Sequence, residues 1–332
     1  MASGIRRILG VGPLAVAVVG AALLALASPA IATTGSFAAP VLNADFPDPA
    51  IFLANGHYWA YATGSAGRNL QVTSSPDLRT WSATTDPLPI LPPWASAGMT
   101  WAPGVIQRGQ QFVMYYTTHD AALGRQCLSV ATASTPSGPF TDLSTGPLVC
   151  QTANGGSIDP NPYLDPRSGQ LVLLWKSDDN ALGSGHPTHL WGQTLTSDGL
   201  ALAPGTSPTL LLTMSEPWQS PSMEGPTVVY AGGRYALFYG ANNYDSASSG
   251  IGYAVSSSLL GKYADQSVFG PWLGTRGAAQ GPQGPWVFVD STGVTRLAFA
   301  AWYGVVGYEH GGVRSLWVAN LTFNRRGVPS AS

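Results

Sequence analysis

The chain has 332 residues, and its 40 Gly and 27 Pro predict many turns and few long helices. Charged residues make up 10% of it, and the formal net charge of -2 without basic clusters argues against nucleic acid as a partner. Aromatic residues also make up 10%, which suits an extracellular sheet protein with flat stacking surfaces. The length fits one large β-domain better than several small ones.

The first residues have the pattern of an export signal. Arg6 and Arg7 precede an apolar run over residues 8–27, and residues 30–32 (Ala-Ile-Ala) offer a small-residue cleavage site. We therefore predict a secretory signal peptide over residues 1–32, with Thr33 as the mature N-terminus of a secreted, extracellular protein. An uncleaved membrane anchor is the alternative, because the run is nearly long enough to span a bilayer. The many Ala and Gly residues favour cleavage, so we expect no stable membrane association.

A hairpin pattern then repeats five times along residues 33–332. Each unit has a proline followed 6 to 9 residues later by a Gly turn, with a short apolar run before the turn and a second run behind it. The proline anchors are Pro49, Pro103, Pro160, Pro226 and Pro285, and the turns are Gly56, Gly109, Gly169, Gly233 and Gly293. Further strand-like pieces follow in each unit, which gives four predicted strands per repeat. The pattern predicts an all-β, five-bladed β-propeller as a single domain. An irregular β-sandwich is the alternative.

The cysteine and histidine content is low. Cys127 and Cys150 are predicted to form one disulfide in an exported chain, joining the outer part of the second repeat to the segment that leads into the third. A catalytic thiol is the weaker alternative. His186 and His189 are interpreted as polar loop residues, since no third metal ligand accompanies them, and no metal site is predicted.

Three acidic residues occupy corresponding places in three repeats. Asp48 and Asp159 each precede an anchor proline, and Glu224 stands two residues before one. The equivalent of the two aspartates is Ala102 in the second repeat and Gly284 in the fifth, so the scaffold does not demand an acid there. Radial repeats would bring the three carboxylates together, as acid/base hydrolysis of a sugar acetal requires. Because the next residue is proline, both aspartates are expected to have extended backbone. A plain Asp-Pro turn is the alternative for each motif.

Other side chains are candidates for the same pocket. Asp45, in the same DFPDP motif as Asp48, is a rival for the role of catalytic base, but the repeat register favours Asp48. Trp101 holds the position of Glu224 in its own repeat and is a candidate for stacking on a sugar, with a core role as the alternative. Phe46 is a further candidate for the pocket wall.

The motifs together resemble glycoside hydrolase family 43. The resemblance rests on LNADFPDPAIF, LQVTSSPDLRTW, TWAPGVI, GSIDPNPYLD, MEGPTVVY and GIGYAVSSSLLGKY in this order, and it covers about residues 40–323. It implies a five-bladed propeller enzyme acting on arabinan, arabinoxylan or xylan with inversion at the anomeric carbon. It also implies that Asp48 is the catalytic base and that Glu224 is the general acid. Asp159 would then orient the acid and tune its pKa. Arg314 matches a substrate-contacting arginine of some members of the family. His310, four residues before it, is close enough in sequence to reach the same opening of the pocket.

The function expected from the residues and the resemblance is a secreted glycosidase that cleaves arabinofuranosyl linkages of plant cell-wall polysaccharide. A β-xylosidase and a carbohydrate-binding propeller without catalysis are the alternatives. The expected partner is an oligo- or polysaccharide, the expected state is a monomer, and no cofactor is predicted. Many arabinan-cleaving members carry a GPGH stretch whose His helps to bind a central cation, whereas this chain has GPQG with Gln283 and Gly284.

Overall fold

The structure, a computed structural model, describes residues 1, 4 and 37–332. The predicted signal peptide and its cleavage site lie outside the described residues, apart from the isolated residues 1 and 4, so they stay a prediction. Residues 37–332 belong to one compact unit. Within the described ranges, no helix has both the length and the apolar character needed to cross a membrane.

The described residues contain eighteen β-strands, and they include no α-helix. The strands are β1 Ala50–Ala54, β2 His57–Thr63, β3 Leu70–Ser75, β4 Ala95–Arg108, β5 Gln111–Asp120, β6 Arg125–Ala133, β7 Ser157–Leu164, β8 Leu171–Ser177, β9 His189–Thr194, β10 Thr209–Thr213, β11 Met223–Ala231, β12 Arg234–Ala241, β13 Gly250–Ser256, β14 Ala264–Asp265, β15 Gln280–Val289, β16 Thr295–Trp302, β17 Arg314–Phe323 and β18 Pro329–Ala331. They form five antiparallel sheets in chain order, which are β1–β3, β4–β6, β7–β10, β11–β14 and β15–β18.

The five sheets are the blades of a five-bladed β-propeller, which confirms the predicted fold class. Each predicted proline-to-glycine hairpin is the inner hairpin of one blade, because the anchor proline lies at or beside its first strand. The expectation of four strands per blade holds for the last three blades, but the first two have three strands each. Isolated bridges such as Val72–Thr85 and Leu128–Val149 replace the outer strand there.

The hydrophobic core is divided among the five interfaces between neighbouring blades. Each of five buried clusters combines side chains of two successive blades, and the last joins the fifth blade to the first. Representative pairs are Tyr61 with Met114, Tyr115 with Leu173, Leu174 with Leu237, Phe238 with Phe299, and Phe288 with Ile51. Both faces of each inner hairpin are therefore covered, which explains uninterrupted buried runs such as the LVLLWKS segment of β8.

A disulfide and a set of main-chain hydrogen bonds link parts of the chain that lie between or in different blades. The predicted disulfide between Cys127 on β6 and Cys150 before the third blade is present. The segment before β1 pairs with the fifth blade, where the Val41 N–H donates to the Leu316 carbonyl at 2.9 Å. The Phe46 N–H likewise donates to the Arg314 carbonyl at 2.9 Å. The ring is thus closed directly beside Asp48.

Candidate active site

The residue before each anchor proline has a left-handed backbone in all five blades. The φ angles are 53° at Asp48, 44° at Ala102, 58° at Asp159, 60° at Gly225 and 59° at Gly284. The expectation of extended backbone at the two aspartates was therefore wrong. We call this residue and the proline that follows it the left-handed step of the blade. In blades two to five the pairing register of the inner strand shifts around the left-handed step, so the step belongs to a β-bulge, where a left-handed conformation is usual. The bulge places five equivalent steps around one centre.

These five steps line a single central pocket. Every blade contributes its proline and the residue before it, and the lining also includes Glu224, Asn161 and Trp286. Asp48, Asp159 and Glu224 thus reach one pocket from three different blades, as the repeat register predicted. Trp286 was missed by the sequence reasoning, although its place directly after the Pro285 anchor, where the other blades have smaller residues, could have indicated it.

Asp48 is held by a hydroxyl and a cation. Thr63 on β2 donates its hydroxyl to Asp48 Oδ2 at 2.6 Å, and Arg314 Nη1 lies 3.5 Å from Asp48 Oδ1. The same Thr63 oxygen accepts the backbone N–H of Ala102 in the next blade at 2.9 Å. The Asp48 carboxylate is therefore fixed by its own blade, by the fifth blade and, through Thr63, by the second.

Arg314 is itself enclosed by polar and aromatic partners. The residue is 7% exposed. Its guanidinium lies 4.9 Å from the centre of the Tyr244 ring, and its Nε donates to the Tyr308 hydroxyl at 3.0 Å. Tyr308 in turn donates to Asp45 at 2.9 Å, and Ser65 donates to the other Asp45 oxygen at 3.0 Å. Burial alone would lower the pKa of Arg314, but Asp48 and Tyr308 outweigh it and raise that pKa. Asp45 is thus engaged in supporting Arg314 and lies outside the pocket lining.

Asp159 connects the third blade to the fourth. Its backbone N–H donates to the Thr117 hydroxyl of the second blade at 3.0 Å, and its Oδ2 accepts the Gly225 N–H at 2.9 Å. The side chain keeps some exposure to the pocket but is closely surrounded by protein. This desolvation, together with the charges of Glu224 and then Asp48, raises the pKa of Asp159 well above its usual range.

Glu224 faces a hydroxyl and a buried lysine that the sequence reasoning did not identify. Ser222 donates to Glu224 Oε2 at 3.0 Å, and Lys176 Nζ lies 3.7 Å from the same oxygen. Lys176 is 1% exposed and donates to Asp178 at 3.0 Å and to Asn180 at 2.7 Å. Burial tends to lower the pKa of Lys176, but Glu224, Asp178 and Asp159 together raise it, so the ammonium stays charged. The sequence offered one indication of this residue, because a lysine that directly follows the apolar run LVLLW is unusual in a buried strand.

The remaining candidates Trp101, His310 and Phe46 are not among the residues that line the pocket. Trp101 is half-buried and stands opposite Thr117 on β5, beside the lining residue Ala102. His310 is exposed, and its Nδ1 lies 3.1 Å from the Val306 carbonyl. Phe46 is fully buried in the hydrophobic cluster between the first and fifth blades, so it is a core residue and not part of the pocket wall.

The residues present do not fit a histidine-held central cation. In the stretch GPQG the fourth position, where the GPGH motif has its His, is Gly284. The adjacent Gln283 is buried, its Nε2 donates to the Ala241 carbonyl at 3.1 Å, and its Oε1 has no partner among the described residues. His189 is paired with Asp179 at 3.1 Å, and His186 is exposed. The described part of the chain contains no group of three or more His, Cys, Asp or Glu side chains able to hold a metal ion.

A five-bladed propeller whose central pocket gathers three carboxylates has the layout of a hydrolase that cleaves sugar acetals by acid/base chemistry. The comparison with known families agrees with this class. The sequence model of the glycosyl hydrolases family 43 matches residues 37–313, and the chain belongs to that family.

Individual relatives are distant. A probable arabinan endo-1,5-alpha-L-arabinosidase B of Aspergillus oryzae is 28% identical over 156 residues, which cover 46% of this chain and 42% of that protein. The chain thus matches less than half the length of this curated relative. A solved thermostable family-43 glycoside hydrolase is 26% identical with a TM-score of 0.76, covering 87% of this chain and 93% of that one. A solved endo-1,4-beta-xylanase from Bacteroides thetaiotaomicron, 24% identical with a TM-score of 0.72 over 89% of this chain and 97% of that one, has the same fold.

Proposed function

We propose that the protein is a secreted, inverting glycosidase that cleaves arabinofuranosyl linkages of arabinan or arabinoxylan. The observation that carries the catalytic part is the meeting of Asp48, Asp159 and Glu224, from three blades, in one central pocket. The arabinose specificity is supported by the motif order of the sequence and by the arabinan-cleaving activity named for the Aspergillus relative.

Asp48 is the proposed general base. A carboxylate that accepts a proton from water must be ionised and fixed in direction. The Thr63 hydroxyl and the Arg314 guanidinium, on its two oxygens, supply both conditions. Asp48 would take a proton from a water molecule as the water oxygen bonds to the anomeric carbon.

Glu224 is the proposed general acid, with Asp159 as its support. Glu224 would give its proton to the glycosidic oxygen as the bond from that oxygen to the anomeric carbon breaks. Asp159 accepts the N–H of Gly225, the residue directly after Glu224, and so fixes the backbone that carries the acid. Inversion requires the two reacting carboxyl groups to stand roughly 6.5–9.5 Å apart, so that water fits between base and sugar.

A substrate panel tests the proposal. Nitrophenyl α-L-arabinofuranoside, nitrophenyl β-D-xyloside and linear arabinan would be offered to the wild type and, as a matched control, to Asp48→Asn. We expect release of arabinose by the wild type alone. Turnover of only the xyloside would replace the arabinose assignment with that of a β-xylosidase, and no turnover of any glycoside would favour a binding propeller.

Proton NMR of the first sugar released reads the stereochemistry before mutarotation. We expect the anomeric configuration of the product to be opposite to that of the substrate. A product that keeps the configuration would indicate a covalent intermediate and would contradict the role of Asp48 as base.

Export is tested on the secreted protein itself. The Ala-Ile-Ala segment at residues 30–32 predicts a mature chain that begins near Thr33. Intact-mass measurement of protein from the culture medium should give that start, and a full-length mass in a membrane fraction would contradict it.

A further inference from the structure

The inner hairpins contain a second set of equivalent positions beside the pocket. These positions lie on the second strand of each blade, opposite the residue that precedes the left-handed step. They are occupied by Thr63, Thr117, Lys176, Gly240 and Ala300. The hydroxyls of Thr63 and Thr117 accept the N–H of Ala102 and Asp159, so this position faces the left-handed step of the next blade. In the third blade it is a lysine, which faces Glu224.

The propeller scaffold does not need a lysine at this position. Two blades use a threonine, and two use Gly or Ala, so an uncharged side chain is compatible with every other blade. Burying an ammonium group costs several kcal/mol unless partners compensate for the lost hydration. Lys176 is 1% exposed, and its compensation comes from Asp178, Asn180 and Glu224. A buried charge that the fold does not demand, directed at an acidic residue of the pocket, indicates a role in the reaction.

We propose that Lys176 is a positioning residue that holds the Glu224 carboxylate and stabilises the negative charge left on it after proton transfer. The inference rests on the proposed function. As the O–H bond of Glu224 breaks, the proton passes to the glycosidic oxygen, which keeps the electron pair of the cleaved bond. The negative charge left on Glu224 then lies beside the Lys176 ammonium, 3.7 Å away in the structure. A fixed cation at a site of developing negative charge lowers the barrier to that step.

The charged groups around Glu224 determine how loss of the lysine charge should change the reaction. The charged and hydrogen-bonding groups nearest to it are Lys176 on β8, Asp159 on β7, Ser222 before β11 and, across the pocket, Asp48 before β1. From β15 the pocket receives the uncharged residues Gly284, Pro285 and Trp286. On β9, His189 is engaged by Asp179. Lys176, at 3.7 Å, is therefore the cation beside Glu224 among these groups.

Removal of the lysine charge is the first test. With Lys176→Met we expect kcat on a substrate with a poor leaving group to fall by roughly 10- to 100-fold. On an activated aryl glycoside, which needs little protonation, kcat should fall less than about 3-fold, and KM should change little on either substrate. The alkaline limb of the pH–rate profile should move to higher pH, because Glu224 loses the cation that favours release of its proton. Lys176→Arg should restore part of the activity, and Lys262→Met, at the exposed second lysine of the chain, should change nothing.

A second variant is expected to shift the alkaline limb of the pH–rate profile in the opposite direction. Asp178→Asn removes the carboxylate bonded to Lys176 at 3.0 Å, so more of the lysine charge acts on Glu224. The alkaline limb should then move to lower pH, whereas a purely structural lysine would give no shift of opposite sign. This measurement also decides the matter if Lys176→Met does not fold.

Three results would overturn the inference. One is an equal loss of kcat on both substrates with an unmoved alkaline limb in Lys176→Met. Another is an alkaline limb that stays in place, or moves to higher pH, in Asp178→Asn. The third is a wild type inactive on every glycoside, which would overturn the proposed function as well. An active wild type with insensitive lysine variants would overturn this inference alone.

Discussion

The two sides of the pocket use the same kinds of partner for different purposes. On one side, Asp48 has a threonine hydroxyl on one oxygen and the buried Arg314 near the other. On the other side, both the Ser222 hydroxyl and the buried Lys176 approach one oxygen of Glu224. Each carboxylate thus has one hydroxyl and one cation within 4 Å. The immediate neighbours alone would not distinguish a base from an acid.

The third carboxylate breaks this similarity. Asp159 accepts the N–H of Gly225, directly beside Glu224, and Glu224 raises the pKa of Asp159 more than Asp48 does. The third carboxyl group is therefore coupled more closely to Glu224 than to Asp48. Two similar carboxyl groups receive different roles when their environments differ in this way. The following changes test that distinction.

The largest effect is expected at the base. Asp48→Asn should lower kcat by about 10²–10⁴-fold, because loss of general base catalysis has that typical cost. Binding of substrate, measured by calorimetry on the inactive variant, should persist, since the amide keeps the shape of the side chain.

Asp45→Asn is the matched control for the base. Asp45 supports Arg314 through Tyr308 and lies outside the pocket lining, so we expect a far smaller loss of kcat. If the Asp45 variant is dead and the Asp48 variant is active, the assignment of the base to the first blade's left-handed step is wrong.

The acid side should show a selective loss. Glu224→Gln should lower kcat strongly on natural linkages, by up to about 10⁴-fold, because their leaving groups need a proton. On an activated aryl glycoside the loss should be much smaller. Steady-state kinetics on the two substrate types gives the comparison, and equal losses on both would mean that Glu224 does not act as the acid.

Asp159 should affect stability as well as rate. Because its pKa is raised in the folded protein, the unfolded chain releases this proton first, near the ordinary value of about 3.9. The free energy of unfolding therefore falls as the pH rises from there through the raised pKa. Asp159→Asn removes that loss and can still accept the Gly225 N–H, so its Tm should exceed that of the wild type by an amount that grows with pH over this window. Thermal unfolding across the pH range measures it, and a constant difference would contradict the shift.

The smallest effect is expected in a blade without an acid. Ala102 has a φ of 44° and no charge, so its left-handed backbone is strained without catalytic benefit. Ala102→Gly should raise the free energy of unfolding by roughly 0.5–1 kcal/mol, the relief of strain minus the greater freedom of unfolded glycine. Gly284→Ala should act in the opposite direction, since its Cβ would lie 2.9 Å from the Asp48 Cα. Denaturant unfolding of both variants compares them, and a destabilised Ala102→Gly would contradict the strain.

The sequence allowed prediction of the fold and of the residues that meet in the pocket. The proline-to-glycine hairpins repeat in register, so the positions of Asp48 and Asp159 followed from spacing alone. The position of Glu224, two residues before its proline, was also accessible. The disulfide followed from the presence of a single pair of cysteines. These features depend on local turns and on counting, which the sequence shows directly.

Features that depend on tertiary packing were not accessible in the same way. The left-handed step before proline contradicts the local preference, and the bulge in the paired strand overrides it. Lys176 follows an apolar run in a strand, so its burial depends on the neighbouring blade that covers it. Phe46 is part of the same short motif as Asp48, but its side chain packs between two blades. Closeness to Asp48 in the sequence could not show that the side chain points into the core and not into the pocket.

The closure of the ring beside Asp48 has a consequence for biosynthesis. Asp48 belongs to the first blade made by the ribosome, but its partner Arg314 and the strand that pairs with residues 41–46 belong to the last. A growing chain can therefore contain all three acidic residues while the support of its base is still missing. Chains truncated before Gly311 should be inactive even where the earlier blades fold. The nascent polypeptide would thus remain inactive until its fifth blade has been made.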